Sequence, residues 1–219
     1  MAITDQTILS EIQRVTVENT GDLGATWPSG MWTQAEVLDA LNGRQERLIA
    51  ETRLFWAVRE DAITINQRDQ AIPAAARWAA TVLVAFKTAA GLYRELLKLS
   101  ALEIDYATPA WPSQTGASPR GYYELEGNTL TTYVIPTPTE AGSILERYFV
   151  QLGTTLDATG IAFAVSDEFV PTVKYGTLAD LFSKIGPAQN PTLAAICEER
   201  WQEGLEMGKL IAQEGWFAL

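Results

Sequence analysis

Residues 122–138 read YYELEGNTLTTYVIPTP, from Tyr122 to Pro138. Aromatic and β-branched residues stand on either side of Gly127-Asn128, two residues tolerant of positive φ. The segment therefore predicts a β-hairpin, with strands over 122–126 and 129–135. Pro136 and Pro138 cannot donate to a ladder and end the second strand. Residues 143–152 supply a third strand, and strand and turn character runs over 106–150. Upstream, the alternation of residues 62–66 also reads as a strand. Residues 81–86 are β-branched and apolar, which suits a strand or a buried helix equally.

Helical signals flank this β-rich middle. Residues 3–15 place Ile3, Ile8, Leu9, Ile12 and Val15 on one side of a short amphipathic helix. A turn-rich stretch, 19–30, follows. Thr33-Gln-Ala-Glu36 is a capping box, with Trp32 and Val37 at the positions of a hydrophobic staple. Leu38, Leu41, Leu48 and Phe55 recur on a seven-residue frame that Gln45 and Thr52 interrupt, as in a bundle helix with one buried side. Downstream, residues 167–185 predict a helix closed by Gly186-Pro187. Asn190-Pro191 opens another, with Leu193, Ile196, Cys197, Trp201 and Leu205 as its apolar face. Gly204 and Gly208 lie on one side of it, where another backbone can approach closely. The fold class expected is α+β: a helical bundle from N- and C-terminal helices with an inserted β-rich region. The segments are 1–58, 59–152 and 153–219, forming one composite domain.

Composition removes many chemistries. The 219 residues contain no histidine, which excludes Ser-His-Asp and Cys-His catalysis, the HExxH zinc helix and a histidine pH switch. Cys197 is the single cysteine and sits at an apolar helical position, so a buried, inert thiol is expected. Lys and Arg number 16 against 27 Asp and Glu, a net charge of -11. The excess is concentrated after residue 100. No basic stripe exists to neutralise phosphates, no apolar run reaches membrane length, and the first residues resemble neither a signal nor a transit peptide. Neither a GxGxxG nor a GxxxxGK[ST] loop occurs, and no EF-hand string. No cofactor and no metal is expected.

Carboxylates are the remaining catalytic candidates. Asp167-Glu168 and Glu198-Glu199 are neighbours that point to different sides of a helix. Glu103 with Asp105, and Glu124 with Glu126, share a face only in strands. A glycosidase would need two carboxyls across a cleft. The aromatic residues Tyr106, Trp111, Tyr122, Tyr123 and Tyr133 are the stronger binding signal, either a packed sheet core or a platform for stacked sugars.

The order of features resembles a known family. Ser100-x-x-Glu103-x-Asp105, Trp111, Gly116-x-x-Pro119, Tyr122-Tyr123, Gly127-Asn128-x-Leu130, Pro136-x-Pro138 and Ala141-Gly142 together resemble the middle of tailed-bacteriophage head–tail connector (adaptor) proteins. Trp32-x-x-x-Glu36-x-Leu38-x-x-Leu41-Asn42 resembles that family's first long helix. Asp167-Glu168-Phe169, Tyr175-Gly-x-Leu178 and the run from Lys184-Ile-Gly186 to Gly204 resemble its closing helix pair. The resemblance implies structural roles for Trp32, Glu36, Asn42, Trp111, Gly116, Pro119, Tyr122, Tyr123, Pro136 and Pro138.

It also implies a virion structural protein, made in the host cytoplasm and seated at the capsid–tail junction. There a homo-oligomeric ring, typically a dodecamer, docks under the portal protein, extends the DNA channel and joins downstream neck or tail proteins. It is not an enzyme, touches no membrane, and lets double-stranded DNA pass without specific binding. Under that reading some acids of the second half face the channel. The apolar tail residues Trp216, Phe217 and Leu219 dock on a partner. Other readings are a tail-completion or stopper-like neck protein, or a sugar-binding module or carboxylate-based glycosidase.

Overall fold

A computed structural model describes residues 3–16, 31–71, 78–107, 110–116, 118–125, 129–137, 141–186 and 188–216. Among them are five α-helices: α1 (Asp5–Val15), α2 (Gln34–Thr52), α3 (Ala101–Ala107), α4 (Val170–Ser183) and α5 (Pro191–Trp216). The strands are β1 (Trp56–Ala62), β2 (Asp69–Ala71), β3 (Trp78–Lys87), β4 (Tyr93–Glu95), β5 (Leu97–Lys98), β6 (Thr115–Gly116), β7 (Gly121–Leu125), β8 (Thr129–Tyr133), β9 (Ile135–Pro136) and β10 (Ile144–Gln151). The N- and C-terminal parts are helical and the middle is β-rich, the expected α+β class. The chain divides into two compact units, residues 1–55 with 152–219, and residues 56–151.

In the first unit α4 packs on α5, and α2 packs on both. Of the predicted stripe Leu41 and Leu48 are fully inside, together with Val37 and Ile49, whereas Leu38 and Phe55 are half-buried and Phe55 lies beyond the end of α2. Each fully buried aliphatic side chain contributes about 2 kcal/mol of transfer free energy. The two interruptions of the frame are buried as well. Gln45 Oε1 accepts the Ala164 N–H (2.9 Å), and the Thr52 hydroxyl donates to the Leu48 carbonyl (2.7 Å), so neither polar group is stranded. The capping box forms in both directions: Thr33 Oγ1 accepts from the Glu36 N–H (3.2 Å), and Glu36 Oε2 accepts from the Thr33 N–H (2.8 Å).

The closing helices differ in phase and extent from the sequence reading. Helix α4 starts at Val170, because residues 167–169 form a turn in which the Phe169 N–H donates to the Ser166 carbonyl (2.9 Å). It ends at Ser183, and Ile185 is exposed. On α5 the buried stripe is Ala194, Cys197, Trp201 and Leu205, whereas Leu193 and Ile196 are exposed. Small residues decide this phase. A Cβ at Gly204 would run into Thr172, and one at Gly208 would stand 2.7 Å from Thr52 Cγ2. At both glycines a neighbouring threonine fills the space that a side chain would take.

The second unit holds a four-stranded sheet in the order β1-β10-β3-β4, antiparallel throughout. A second sheet runs β2-β8-β7-β5, and β6 pairs with β9 in parallel. Residues 81–86 lie in strand β3, which resolves the ambiguity in the sequence. The hairpin is β7–β8, with Tyr123 opposite Thr131; its Gly127-Asn128 turn lies outside the described residues. The strand expected at residues 62–66 sits one element earlier, at Trp56–Ala62. Its exposed and half-buried residues alternate along an edge strand, and Asn66, at φ 58°, turns the chain away. Residues 101–107 are helical, so Glu103 and Asp105 do not share a strand face. Ser100 and Glu103 form a capping box, with Glu103 Oε2 accepting from the Ser100 N–H (2.8 Å) and Ser100 Oγ accepting from the Glu103 N–H (3.2 Å).

Successive residues of β7 point to opposite faces, and both faces are covered. Tyr122 joins a core of Ile63, Val84, Phe86, Leu96, Leu130 and Leu145. Tyr123 joins Ile104 and Trp111, with Leu99 and Tyr133 packed beside them.

Candidate functional site

The positions singled out by the resemblance fall into clasps and cores. In the helical unit, Trp32 is buried edge-on against Phe182, ring centroids 5.9 Å apart. Glu36 pairs with Lys184 as well as capping α2. Lys184 and the Thr33 amide hold its carboxyl down to about 2. Asn42 clamps a backbone 114 residues away: Nδ2 donates to the Leu156 carbonyl (3.0 Å), and Oδ1 accepts the Leu156 N–H (2.8 Å).

In the β-rich unit, Trp111 is buried and donates its indole N–H to Asp105, with Tyr123 edge-on at 5.6 Å. The Arg68 guanidinium lies 5.2 Å from the Trp111 ring centroid. Pro119, Tyr122 and Pro136 are buried. Gly116 lies against Val134, whose Cγ1 a Cβ there would meet at 2.6 Å. Pro138, Phe217 and Leu219 lie outside the described residues; of Trp216 only the backbone, the last residue of α5, is described.

The aromatic residues are not one platform. Trp111, Tyr123 and Tyr133 share a core, Tyr122 belongs to the opposite face of β7, and Tyr106 stands alone on α3 at 95% exposure. Desolvation, with Glu124 and Glu95 nearby, pushes the Tyr122 hydroxyl up to about 12, so it stays neutral. The carboxylate candidates are also dispersed. Glu103 caps α3, Glu124 pairs with Lys98 (3.0 Å), and Asp167 accepts the Ile3 N–H (3.1 Å). Among the described residues no three Asp, Glu or Cys side chains group as a metal site would.

Two charged residues that the sequence reading passed over organise the helical unit. Arg44, 8% exposed, bonds Asp180 (Nη2, 2.5 Å) and Glu198 (Nη2, 2.9 Å). Its guanidinium carbon lies 4.9 Å from the Trp201 ring centroid. The two carboxylates, from α4 and α5, thus share one guanidinium from α2, and together they raise its pKa. Arg44 and Glu198 border a cavity of about 500 Å³ lined also by Ser183, Gln189, Pro191, Ala194 and Ala195. Asp180 and Glu198 serve here as partners of one buried cation.

Asp5 is fully buried. Its carboxylate accepts from the backbone N–H groups of Gln6, Asp157, Ala158 and Gly160, at 2.7–3.2 Å. This ties the start of α1 to the loop that precedes α4. The signal for both residues was in the sequence: Arg44 stands three after Leu41 and four before Leu48, and Asp5 stands three and four before Ile8 and Leu9. Charges on the apolar phase of a helix are paired when buried. Burial raises the Cys197 thiol, which leaves it un-ionised.

Asn42, Asp5, Arg44 and Glu36 each join one part of the helical unit to another. Comparison with protein families matches residues 6–215 to the SU10 adaptor protein family. No curated protein matches the chain.

Proposed function

Because the chain belongs to the SU10 adaptor protein family, a phage head–tail adaptor family, we propose that it forms a ring in the virion neck. In this reading a homo-oligomer, typically a dodecamer, docks under the portal, extends the DNA channel and presents a platform for downstream tail proteins. The chain is made in the host cytoplasm, performs no catalysis and lets double-stranded DNA pass. The observation that carries the reading is the family match, which covers nearly the whole chain, from α1 to the end of α5. The charge supports it: a conduit must not hold phosphates, and cationic contacts add affinity for every phosphate they neutralise. With a net charge of -11, acids of the second half are well suited to line such a channel.

Trp216, Phe217 and Leu219 are the residues we assign to portal docking. Two measurements test the reading. A cryo-EM map of the neck is expected to show a ring of this chain beneath the portal, its lumen bordered by carboxylates. A ring elsewhere in the particle, or a lumen lined by Lys and Arg, overturns it. Deletion of residues 215–219 is expected to abolish co-sedimentation with portal-bearing capsids, and undiminished co-sedimentation removes the docking assignment.

A further inference from the structure

In the β-rich unit a cleft of about 310 Å³ is lined by Arg94, Gln114, Thr115, Gly116, Ser118, Arg120 and Val134. Among the described residues no acidic side chain lines it, although the chain has 27 acids to 16 bases. The other described cations of this unit all have carboxylate partners: Arg59 and Arg147 on Asp61, Arg68 on Asp69, Lys87 on Glu60 and Lys98 on Glu124. Arg94 and Arg120 have none among the described residues, and both are exposed. The two cations left over by the internal pairing thus share one concavity. The Gln114 amide and the Thr115 and Ser118 hydroxyls add neutral donors.

The backbone holds these groups in place. Arg94 stands opposite Phe86 in β4, and strand alternation sends its acidic neighbour Glu95 to the other face, opposite Ala85. Arg120 is pinned on both sides: its N–H donates to the Tyr133 carbonyl (3.1 Å) and its carbonyl accepts from the Leu97 N–H (3.4 Å). Pairing of β6 with β9 fixes Thr115 and Gly116, and the contact of Gly116 with Val134 leaves no room there for a side chain.

We propose that this cleft binds the carboxylates of an acidic protein segment, gripped by Arg94 and Arg120. The planar guanidinium matches a carboxylate through two parallel N–H···O bonds, and two such forks with neutral donors in the same cleft suit neighbouring Asp or Glu side chains. The small number of cations favours a short protein acid over nucleic acid. Two cations are too few to hold a duplex against the repulsion of a chain of charge -11. The proposal stands apart from the ring: it concerns one face of the β-rich unit and holds for a monomer.

The test is a titration of the ¹⁵N-labelled full chain, read at the arginine Nε–Hε signals and at the Gly116 and Ser118 amides. The probes are a short end-blocked peptide of alternating Asp and Glu, the matching Asn/Gln peptide, inorganic phosphate and a short duplex DNA. The acidic peptide is expected to give saturable shifts and the amide peptide none. Arg94→Ala and Arg120→Ala are each expected to weaken binding about tenfold, the loss of a charge-assisted bond, and Arg94→Lys less so. Both side chains are exposed, so amide signals outside the cleft are expected to stay in place and report an intact fold. Absence of saturable shifts, shifts that survive the double substitution, or tighter binding of phosphate or duplex than of peptide overturns the proposal.

Discussion

Glu36 joins two devices in one side chain. It closes the capping box of α2 and pairs with Lys184, which follows α4. Both interactions favour the charged carboxylate, so its pKa falls from the usual 4.5 to about 2. A carboxyl lowered by folding adds stability that is fully present above its unfolded pKa and is lost as pH falls through its folded one. Glu36→Gln is therefore expected to lower the thermal midpoint at pH 7, and the gap to the parent should narrow between about pH 4.5 and pH 2. A pH series of melting curves measures this; a gap that stays constant would show that the charge contributes nothing. The effect is modest because the pair is solvent-exposed and screened by salt.

At the scale of elements, α5 depends on the absence of side chains. A glycine in a helix interior costs about 1 kcal/mol relative to alanine, and α5 accepts that twice, at Gly204 and Gly208. The benefit is close packing on α4 and α2. Thr172, which meets a Cβ at position 204, is β-branched and stiff at χ1, so it cannot easily move aside. Gly204→Ala is expected to destabilise by about 1–2 kcal/mol despite the better helix propensity. Adding Thr172→Ala should recover most of that loss, a coupling readable in a double-mutant cycle by urea unfolding. Gly43, on α2, has nothing within 4 Å of its would-be Cβ. There Gly43→Ala is expected to stabilise by about 0.5–1 kcal/mol, and this opposite sign is the control.

For the whole molecule, the relevant fact is that residues 56–151 form a compact unit from one continuous stretch. It has two hydrophobic clusters of its own, and Trp56 pairs with Val150, so its ends leave side by side. At 96 residues, counted from those bounds, it is of a size that folds alone. Expressed by itself, this stretch is expected to give a β-type circular dichroism spectrum and one cooperative melt. A disordered spectrum would mean that its stability is borrowed from the rest of the chain. Isolating the unit also allows the Arg94–Arg120 cleft to be probed without the helices once that melt is seen.

The sequence by itself determined what depends on neighbours along the chain. The capping box at Thr33, the pairing of the two hairpin strands and the α+β order of helices around strands are local or periodic signals and stand in the structure, although the second strand ends at Tyr133, where Val134 takes a positive φ, and not at Ile135. The absence of histidine excluded whole reaction classes before any coordinate was known. Tertiary structure decided the rest, because burial is a property of what lies opposite. The phase of α5 follows Thr172 and Thr52, which are distant in sequence, and so Leu193 and Ile196 turned outward. The aromatic group divided because adjacent residues of β7 each met a different core. Asn42 joined Leu156, and Asp5 joined residues 157–160, through hydrogen bonds that no local pattern encodes. The cleft at Arg94 and Arg120 is of the same kind: two arginines 26 positions apart share it only because strand pairing brings their segments together.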